Sequence, residues 1–558
     1  MNRTCSQCSA KFEVTQSDLD FYDKISPEFG GKKYQIPAPT FCPDCRQQRR
    51  LNMRNSSKLY HRKSDMSGKQ IISIYSADKP YKVYDQDEWW SDRWDGLSYG
   101  RDFDFSRTFT EQFQELSLVV PRLSLNTTNA ENSYYTNHTL NAKNCYLLFG
   151  GGNDEDCLFG NYISNSKNAV DALSLYGCEW CYEGIASQNC YGCKFFMDCR
   201  NCTDCLFVEE CQSCTNCMLC FGLNHKEYCF MNEFIGKEAY EKKKAEMGEL
   251  THEIIDLLWT QLRQLKAKLP HRQSHIFGSE ESSGDMIFNS KNAKHCFDVS
   301  DCENCKYVFF TPRGHDSQDS SFTSPEGVEW NYEVCSTVGC PMSMATFMAW
   351  YGDQMYYSTH CHHCKYCFGC CGLKRQQYCI FNKQYTKEEY EVLVPKIIEH
   401  MKQAGEWGEY LHPSLSAFGY NETAAFDYFP CSKEEAAARG FTWYEEGDRK
   451  ENYLGPNAEF PSKISQTDDS ICDKILTCAV TGKPFKIVPQ ELAFYRSVGI
   501  PVPKKSPEQR HTERMQRRNP RKLWERECAK CQKSIETTYS PERPESVYCE
   551  ECYLKTVY

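Results

Sequence analysis

The sequence contains no run of about 18 apolar residues, which leaves no candidate for a membrane-crossing helix. It also lacks an excess of positive charge. Its 65 Lys and Arg face 76 Asp and Glu, a formal net charge of −11, which argues against indiscriminate coating of nucleic acid but not against local basic patches. A charged-then-apolar leader is missing as well: Met1 to Cys8 reaches a Cys-x-x-Cys at once, so the expected compartment is the cytoplasm. No P-loop, GxGxxG or GxSxG occurs, and a non-enzymatic role is favoured.

Cysteine is what the chain has in plenty, 36 in 558 residues. In a reducing compartment these read as metal ligands or buried thiols rather than disulfides. They recur in register. Cys181, Cys193, Cys205, Cys217 and Cys229 are each 12 residues apart, and Cys178, Cys190, Cys202 and Cys214 run three residues ahead. Extending the first column backwards gives Ala169, Cys157, Cys145 and Ser133, all small. A fixed short period predicts a solenoid, in which each unit buries its apolar side against the next. A narrow interior favours small side chains, and a thiol fills space without needing a strong partner. Two 12-residue repeats could instead form one wider 24-residue coil, with room inside for Tyr135, Leu147, Phe159, Phe195 and Phe207.

The repeat region is itself doubled. Glu179 to Glu183 returns as Glu329 to Glu333, and Cys217 to Leu223 as Cys367 to Leu373, both offset by 150 residues. Each half ends in a charged segment, Lys237 to Lys268 and Thr386 to Gln403. In the first, Ile254, Leu257, Leu258, Leu262 and Leu265 have the spacing of an amphipathic helix.

The two ends carry a different cysteine pattern. Cys5-x-x-Cys8 with Cys42-x-x-Cys45, and Cys528-x-x-Cys531 with Cys549-x-x-Cys552, each describe a zinc ribbon, since four thiolates suit tetrahedral Zn²⁺. Such closed sites hold a fold and do not activate water. The ends are also copies of one another. Pro43, Arg46, Arg50, Arg54, Asn55 and Lys58 line up with Pro507, Arg510, Arg514, Arg518, Asn519 and Lys522. The thiols have been lost in complementary fashion. Cys42 and Cys45 face Ser506 and Gln509, with Cys478 a candidate remnant, whereas Cys528, Cys531, Cys549 and Cys552 face Ser64, Ser67, Asp85 and Glu88.

The arginines persist where the thiols vanish. Arg46, Arg50 and Arg54 share a helical face at i, i+4, i+8. With Arg49, and with Arg510, Arg514, Arg517, Arg518, Arg521 and Lys522 at the other end, they are candidate phosphate contacts for RNA, DNA or the ribosome. Pairing with nearby acids is the competing expectation.

The predicted architecture is mostly β: two tandem Cys-rich parallel β-solenoid halves with a 12-residue repeat, each followed by a helix, flanked by terminal zinc ribbons. The divisions are a zinc ribbon plus a metal-less ribbon (1–84), an aromatic-rich cap (85–130), the first half (131–236), and a helix and linker (237–283). There follow the second half (284–382), a helix (383–410), a connector with a boundary near Pro456 and Pro461 (411–470), and a degenerate ribbon plus zinc ribbon (471–558). Trp89, Trp90, Trp94, Phe103, Phe105 and Phe109 in the cap either seal a solenoid end or form a ligand-stacking surface.

A rival for the central thiols is metal. Cys361, Cys364, Cys367 and Cys371 have the spacing of a bacterial ferredoxin motif, with Gly372 where Pro is usual, so an iron–sulfur redox protein is an alternative. His362-His363 reads as a rung corner rather than a catalytic zinc centre.

The runs Thr481 to Phe485, Arg518 to Trp524 and Thr538 to Pro544, with Cys42-Pro-Asp-Cys-Arg46 and Arg54-Asn55, resemble an uncharacterised family of Cys-rich zinc-ribbon proteins common in small-genome bacteria. The resemblance implies zinc at the two terminal four-cysteine sets and brings no activity with it. Two functions are therefore carried forward beside the iron–sulfur alternative. One is a zinc protein binding nucleic acid or the ribosome, and the other is a scaffold for a protein partner. No membrane partner is expected.

Overall fold

A computed structural model describes residues 1–323, 326–445 and 459–557; the expected boundary at Pro456 lies outside them. The chain is rich in strand, and its two large sheets are dominated by parallel pairing. Among the described residues no helix is long and apolar enough to cross a membrane.

Both sheets repeat one step. In the first, Asn137 pairs with Phe149, Phe149 with Asn161, and Asn161 with Leu173. In the second, Asp353 pairs with Lys365 and Lys365 with Gln377. Every one of these steps is 12 residues, so the 24-residue alternative is wrong. A longer turn occurs where Gln318 pairs with Tyr332.

Twelve residues can close a turn because every third one is left-handed. Phe195, Asp198, Asn201, Asp204 and Phe207 have φ between 50° and 56°, which gives four corners joined by short sides. The residue after each corner points inward: Phe196, Cys199, Cys202, Cys205 and Val208 are at most 1% exposed. The interior therefore samples the chain with period three, which is why the cysteine columns stand three residues apart.

A left-handed residue other than glycine costs roughly 1–2 kcal/mol, so repeated corners need compensation. Asn and Asp tolerate the conformation best, and at one exposed corner the side-chain amides stack. Asn129 donates to Asn141 at 3.0 Å, Asn141 to Asn153 at 2.8 Å, and Asn153 to Asn165 at 3.1 Å. Inside, each thiol reaches backbone oxygen. Cys181 Sγ lies 3.4 Å from both Glu179 O and Cys190 O, and Cys193 Sγ lies 3.5 Å from Tyr191 O and 3.4 Å from Cys202 O. Cysteine is thus small enough for the column and still a weak donor to the carbonyls that line it.

The bulky column does not enter this interior. Tyr135, Leu147, Phe159, Phe195 and Phe207 are corner residues and point outward. Phe195 and Phe207 are covered by Trp259 of the helix His252–Lys266, at ring distances of 6.0 and 5.0 Å. The segment expected as one helix from Lys237 is two, Lys237–Met247 and His252–Lys266, interrupted at Gly248 with φ +65°. Behind the second stack the helix Lys387–Gln403 is continuous and buries Tyr390, Val394, Ile397, Ile398 and Met401.

Each stack is closed at its C-terminal end by an asparagine whose amide stands in for a missing strand. Asn232 accepts from Phe221 N and donates to Phe221 O, both at 2.8 Å; Asn382 does the same for Cys371, at 2.8 and 2.7 Å. The aromatic-rich segment then covers the end of the second stack. Asn382 Nδ2 donates to Gly96 O at 3.1 Å, and a side chain on Gly96 would meet Gly372 O at 2.9 Å. Trp89 is fully buried there, with Nε1 donating to Pro121 O, while Trp90 remains 39% exposed.

The stacks lie against each other along one corner column apiece, where Tyr162 meets Phe310 and Phe322 at 4.7 and 5.1 Å. The terminal modules bridge them crosswise. Strand Val83–Tyr84 of the N-terminal module pairs with Arg122–Leu123, which leads into the first stack, and strand Val547–Tyr548 pairs with His271–Arg272, which leads into the second. The arginine helices reach the opposite way, as follows.

Candidate metal centres and the arginine contacts

At the N-terminal site, Cys5 and Cys8 sit in the turn after strand Asn2–Thr4, tightened by Ser9 at φ +60°. Cys42 caps the helix Pro43–Leu51 and Cys45 lies in its first turn, with Pro43 at the position where a missing N–H is tolerated. The four Sγ atoms lie within 4.8 Å of one another. Cys8 Sγ and Cys42 Sγ are 3.6 Å apart, near the edge of about 3.8 Å that a tetrahedron of Zn–S bonds requires. A hydrogen bond from Cys45 holds the Cys42 thiol down at about 5 and in turn pushes Cys45 up, as close thiols sharing one charge would.

The C-terminal site repeats this geometry with Cys528, Cys531, Cys549 and Cys552. Cys531 Sγ and Cys549 Sγ are 3.7 Å apart, and Cys549 N donates to Cys528 Sγ at 3.3 Å. Burial raises Cys528, but that amide and its neighbours bring it to about 6. Both donor sets therefore fit a soft, tetrahedral divalent ion.

Where the thiols have been lost, hydrogen bonds close the same knuckles. Ser64 Oγ donates to Glu88 Oε2, and Asp85 N donates to the same oxygen at 3.1 Å. At the other end Ser506 Oγ caps Gln509 N, and Cys478 keeps the turn bond to Lys483 O through its backbone N–H.

The central cysteines are not gathered in this way. Among the described residues only the two terminal sets bring three or more ligand atoms together. Cys361, Cys364 and Cys367 line the interior of the second stack, each against the carbonyl two residues earlier, while Cys371 belongs to a different apolar cluster outside it. Burial pushes up the interior thiols Cys296 and Cys340, the latter to about 12, which keeps them protonated. The ferredoxin-like spacing follows from the three-residue period of the stack.

The arginines expected at phosphate are mostly inside the protein. Arg46, Arg49, Arg50, Arg54, Arg510, Arg514 and Arg521 are all at most 7% exposed; Arg517 and Arg518 are part-buried and Lys522 is exposed. Arg46 Nη2 meets Asp319 Oδ2 at 2.9 Å; Arg50 Nη1 meets Asp319 Oδ1 at 2.9 Å and Glu333 Oε2 at 2.7 Å. At the other end Arg510 Nε meets Asp171 Oδ1 at 3.1 Å, and Arg514 Nη1 meets Asp171 Oδ1 and Glu183 Oε1, both at 3.0 Å. Asp171, Glu183, Asp319 and Glu333 are left-handed corners, which aims their carboxylates outward at the arriving helix. The N-terminal helix thus docks on the second stack and the C-terminal helix on the first.

The remaining arginines extend these contacts. Arg49 pairs with Glu409 at 3.2 Å, Arg517 with Glu183 at 3.2 Å, and Arg518 and Arg521 share Asp298 at 3.1 and 2.6 Å. Arg54 lies over the Phe322 ring at 4.5 Å and bonds to Ser336 Oγ. The acids were legible neither as partners nor as a set, because they stand more than 260 residues from Arg50 and more than 330 from Arg514.

One polar centre carried no sequence signal beyond its two arginines. Asp198, Glu210, His275, Asp285, Arg518 and Arg521 surround a cavity of about 50 Å³ between the stacks and the C-terminal module. His275 Nδ1 lies 3.0 Å from Asp285 Oδ1; burial pulls the imidazole down, but Asp285 and its neighbours lift it to about 9. Burial raises Asp198 to about 6 and Glu210 to about 7. The mixed charges and the volume suit a few bridging waters.

No family model matches the chain, and no curated protein matches it.

Proposed function

We propose that the protein is a non-enzymatic scaffold in which two cysteine-lined β-solenoids are locked side by side by two terminal zinc-ribbon modules. Each ribbon module holds both solenoids, by a strand to one and by arginines to the other. The observation that carries this reading is the matched burial of Arg46 and Arg50 on Asp319 and Glu333, and of Arg510 and Arg514 on Asp171 and Glu183. A cation already neutralised in the interior is not available to phosphate, whereas a buried ion pair that breaks is expensive, which suits a clamp. Zinc would set the position of each helix through Cys42 and Cys45, and through the ribbon at Cys528 to Cys552.

Metal analysis followed by limited proteolysis tests it. Two zinc ions per chain are expected, and a chelator should open the termini to protease while the central region resists. A chain that holds no zinc, or whose termini are equally resistant without it, would overturn the reading. The rival, nucleic acid or the ribosome bound by the arginine helices, requires those helices to leave their acids. It gains if retention on RNA or DNA falls steeply with salt and is lost on changing Arg50 and Arg514 to Ala in protein that keeps both zinc ions.

A further inference from the structure

A groove of about 670 Å³ separates the first turn of the second stack from the C-terminal tetrathiolate hairpin. That volume is within the range of sites that seat a small ligand or a short peptide. Its apolar floor is Ile276, Ile535 and Leu554. Ile276–Phe277 is the outermost strand of its largely parallel sheet and, among the described residues, is paired on one side only, with the strand Gly284–Phe288. An open strand edge is a template for one more strand.

The internal duplication isolates what keeps the groove open. Ser283 N donates to Ala293 O, and in the first stack Tyr134 N makes the matching bond to Cys145 O. The first stack thus carries Tyr134 and Tyr135 where the second carries Ser283 and Gly284, and Tyr135 there packs against His61. The rim is acidic. Glu536, Glu550 and Glu551 stand against the single lysine Lys533, and of the three only Glu551 makes an ion pair among the described residues, with Lys555.

We propose that this groove binds an extended peptide that adds to the Ile276–Phe277 edge. One aliphatic side chain of the peptide seats on Ile276, Ile535 and Leu554, and flanking Lys or Arg residues meet Glu536 and Glu550. Main-chain bonds to the edge supply affinity, and the floor and rim supply specificity. The proposal rests on the scaffold reading and names the chemistry of its partner.

The test uses the full chain with its zinc content measured beforehand. Immobilised hexapeptides with a central Leu or Val and flanks of Lys, Glu or Ser are probed with it. Basic-flanked peptides should retain the protein and acidic-flanked ones should not. Ser283→Tyr, which places the first stack's residue in the groove, should weaken retention by about tenfold or more. Changing Glu536 and Glu550 together to Lys should transfer retention to the acidic-flanked set. Retention of no peptide, of both charge classes alike, or retention indifferent to Ser283→Tyr would overturn the proposal. A blank array from protein with two zinc ions removes the groove and leaves the clamp standing, whereas protein without zinc removes the clamp first.

Discussion

Arg50 Nη1 and Glu333 Oε2 lie 2.7 Å apart, with neither side chain more than 1% exposed. Glu333 sits on a left-handed corner of the second stack and Arg50 on the helix that carries Cys45, so one bond ties a module at the start of the chain to a turn 283 residues away. Burial raises the Glu333 carboxyl to about 7, against the pull of Arg50, so the pair depends on the guanidinium staying in place.

Replacing Arg50 by Ala should therefore cost about 3–5 kcal/mol, because it strands Glu333 and part of Asp319 without a counter-charge. Arg50→Lys should recover only part, since an ammonium is more strongly hydrated than a guanidinium and costs more to bury, even though a single nitrogen, Nη1, meets both carboxylates in the native protein. Adding Glu333→Gln alone to Arg50→Ala should return part of the loss, since it removes the stranded carboxylate and leaves Arg46 paired with Asp319. Urea unfolding of the four proteins checks this, and equal midpoints would show that the contact is not structural.

Removing metal should act on the ends. Cys45→Ser should lower zinc content from two ions to one, and Cys45→Ser with Cys549→Ser should leave none. Elemental analysis reads both, and retention of two ions in either variant would contradict the ligand sets.

The central thiols should be silent towards a thiol reagent in the folded protein. After zinc removal Cys8 and Cys531, which are exposed, should react quickly, while Cys193, Cys205 and Cys364 should react only on unfolding. Cys193→Leu should cost about 1–3 kcal/mol through overpacking, more than Cys193→Ala. Anaerobically purified protein should contain no iron.

A fourth prediction concerns Asp154, an inward residue of the first stack that is 1% exposed. Its Oδ1 accepts from Ser166 N at 3.0 Å, its Oδ2 has no hydrogen-bond partner among the described residues, and burial raises its pKa to about 8. The folded state thus holds a proton that the unfolded chain releases near pH 4. Stability should fall as pH rises from about 4 to about 8 and then level off, by up to about 1.4 kcal/mol per pH unit from this group. Asp154→Asn should remove that contribution, which unfolding midpoints at pH 5, 6.5 and 8 would reveal. An unchanged slope would mean that the carboxylate is ionised in the fold.

Much of the architecture could be read from residue order because it rests on short-range repetition. The 12-residue recurrence of Cys181 to Cys229 marks the period, though not whether one repeat or two closes a turn, and the Cys-x-x-Cys pairs mark the two four-cysteine sets. The left-handed corners are only partly legible, since Asp198, Asn201 and Asp204 suit a positive φ whereas Phe195 and Phe207 do not advertise one. Their conformation follows from closing a turn in 12 residues and from the helix that covers them. That same geometry turned the bulky column outward and made the ferredoxin-like spacing of Cys361 to Cys367 a by-product of the period.

By itself the sequence determined the 12-residue period, the doubling of halves and ends, and the two four-cysteine sets at the termini, because each is a pattern of neighbours along the chain. Only the tertiary structure decided what the arginines do. A row of cations on a helix looks the same facing solvent or facing an acid, and Asp319, Glu333, Asp171 and Glu183 become its partners only when distant corners are brought opposite it and water is driven out.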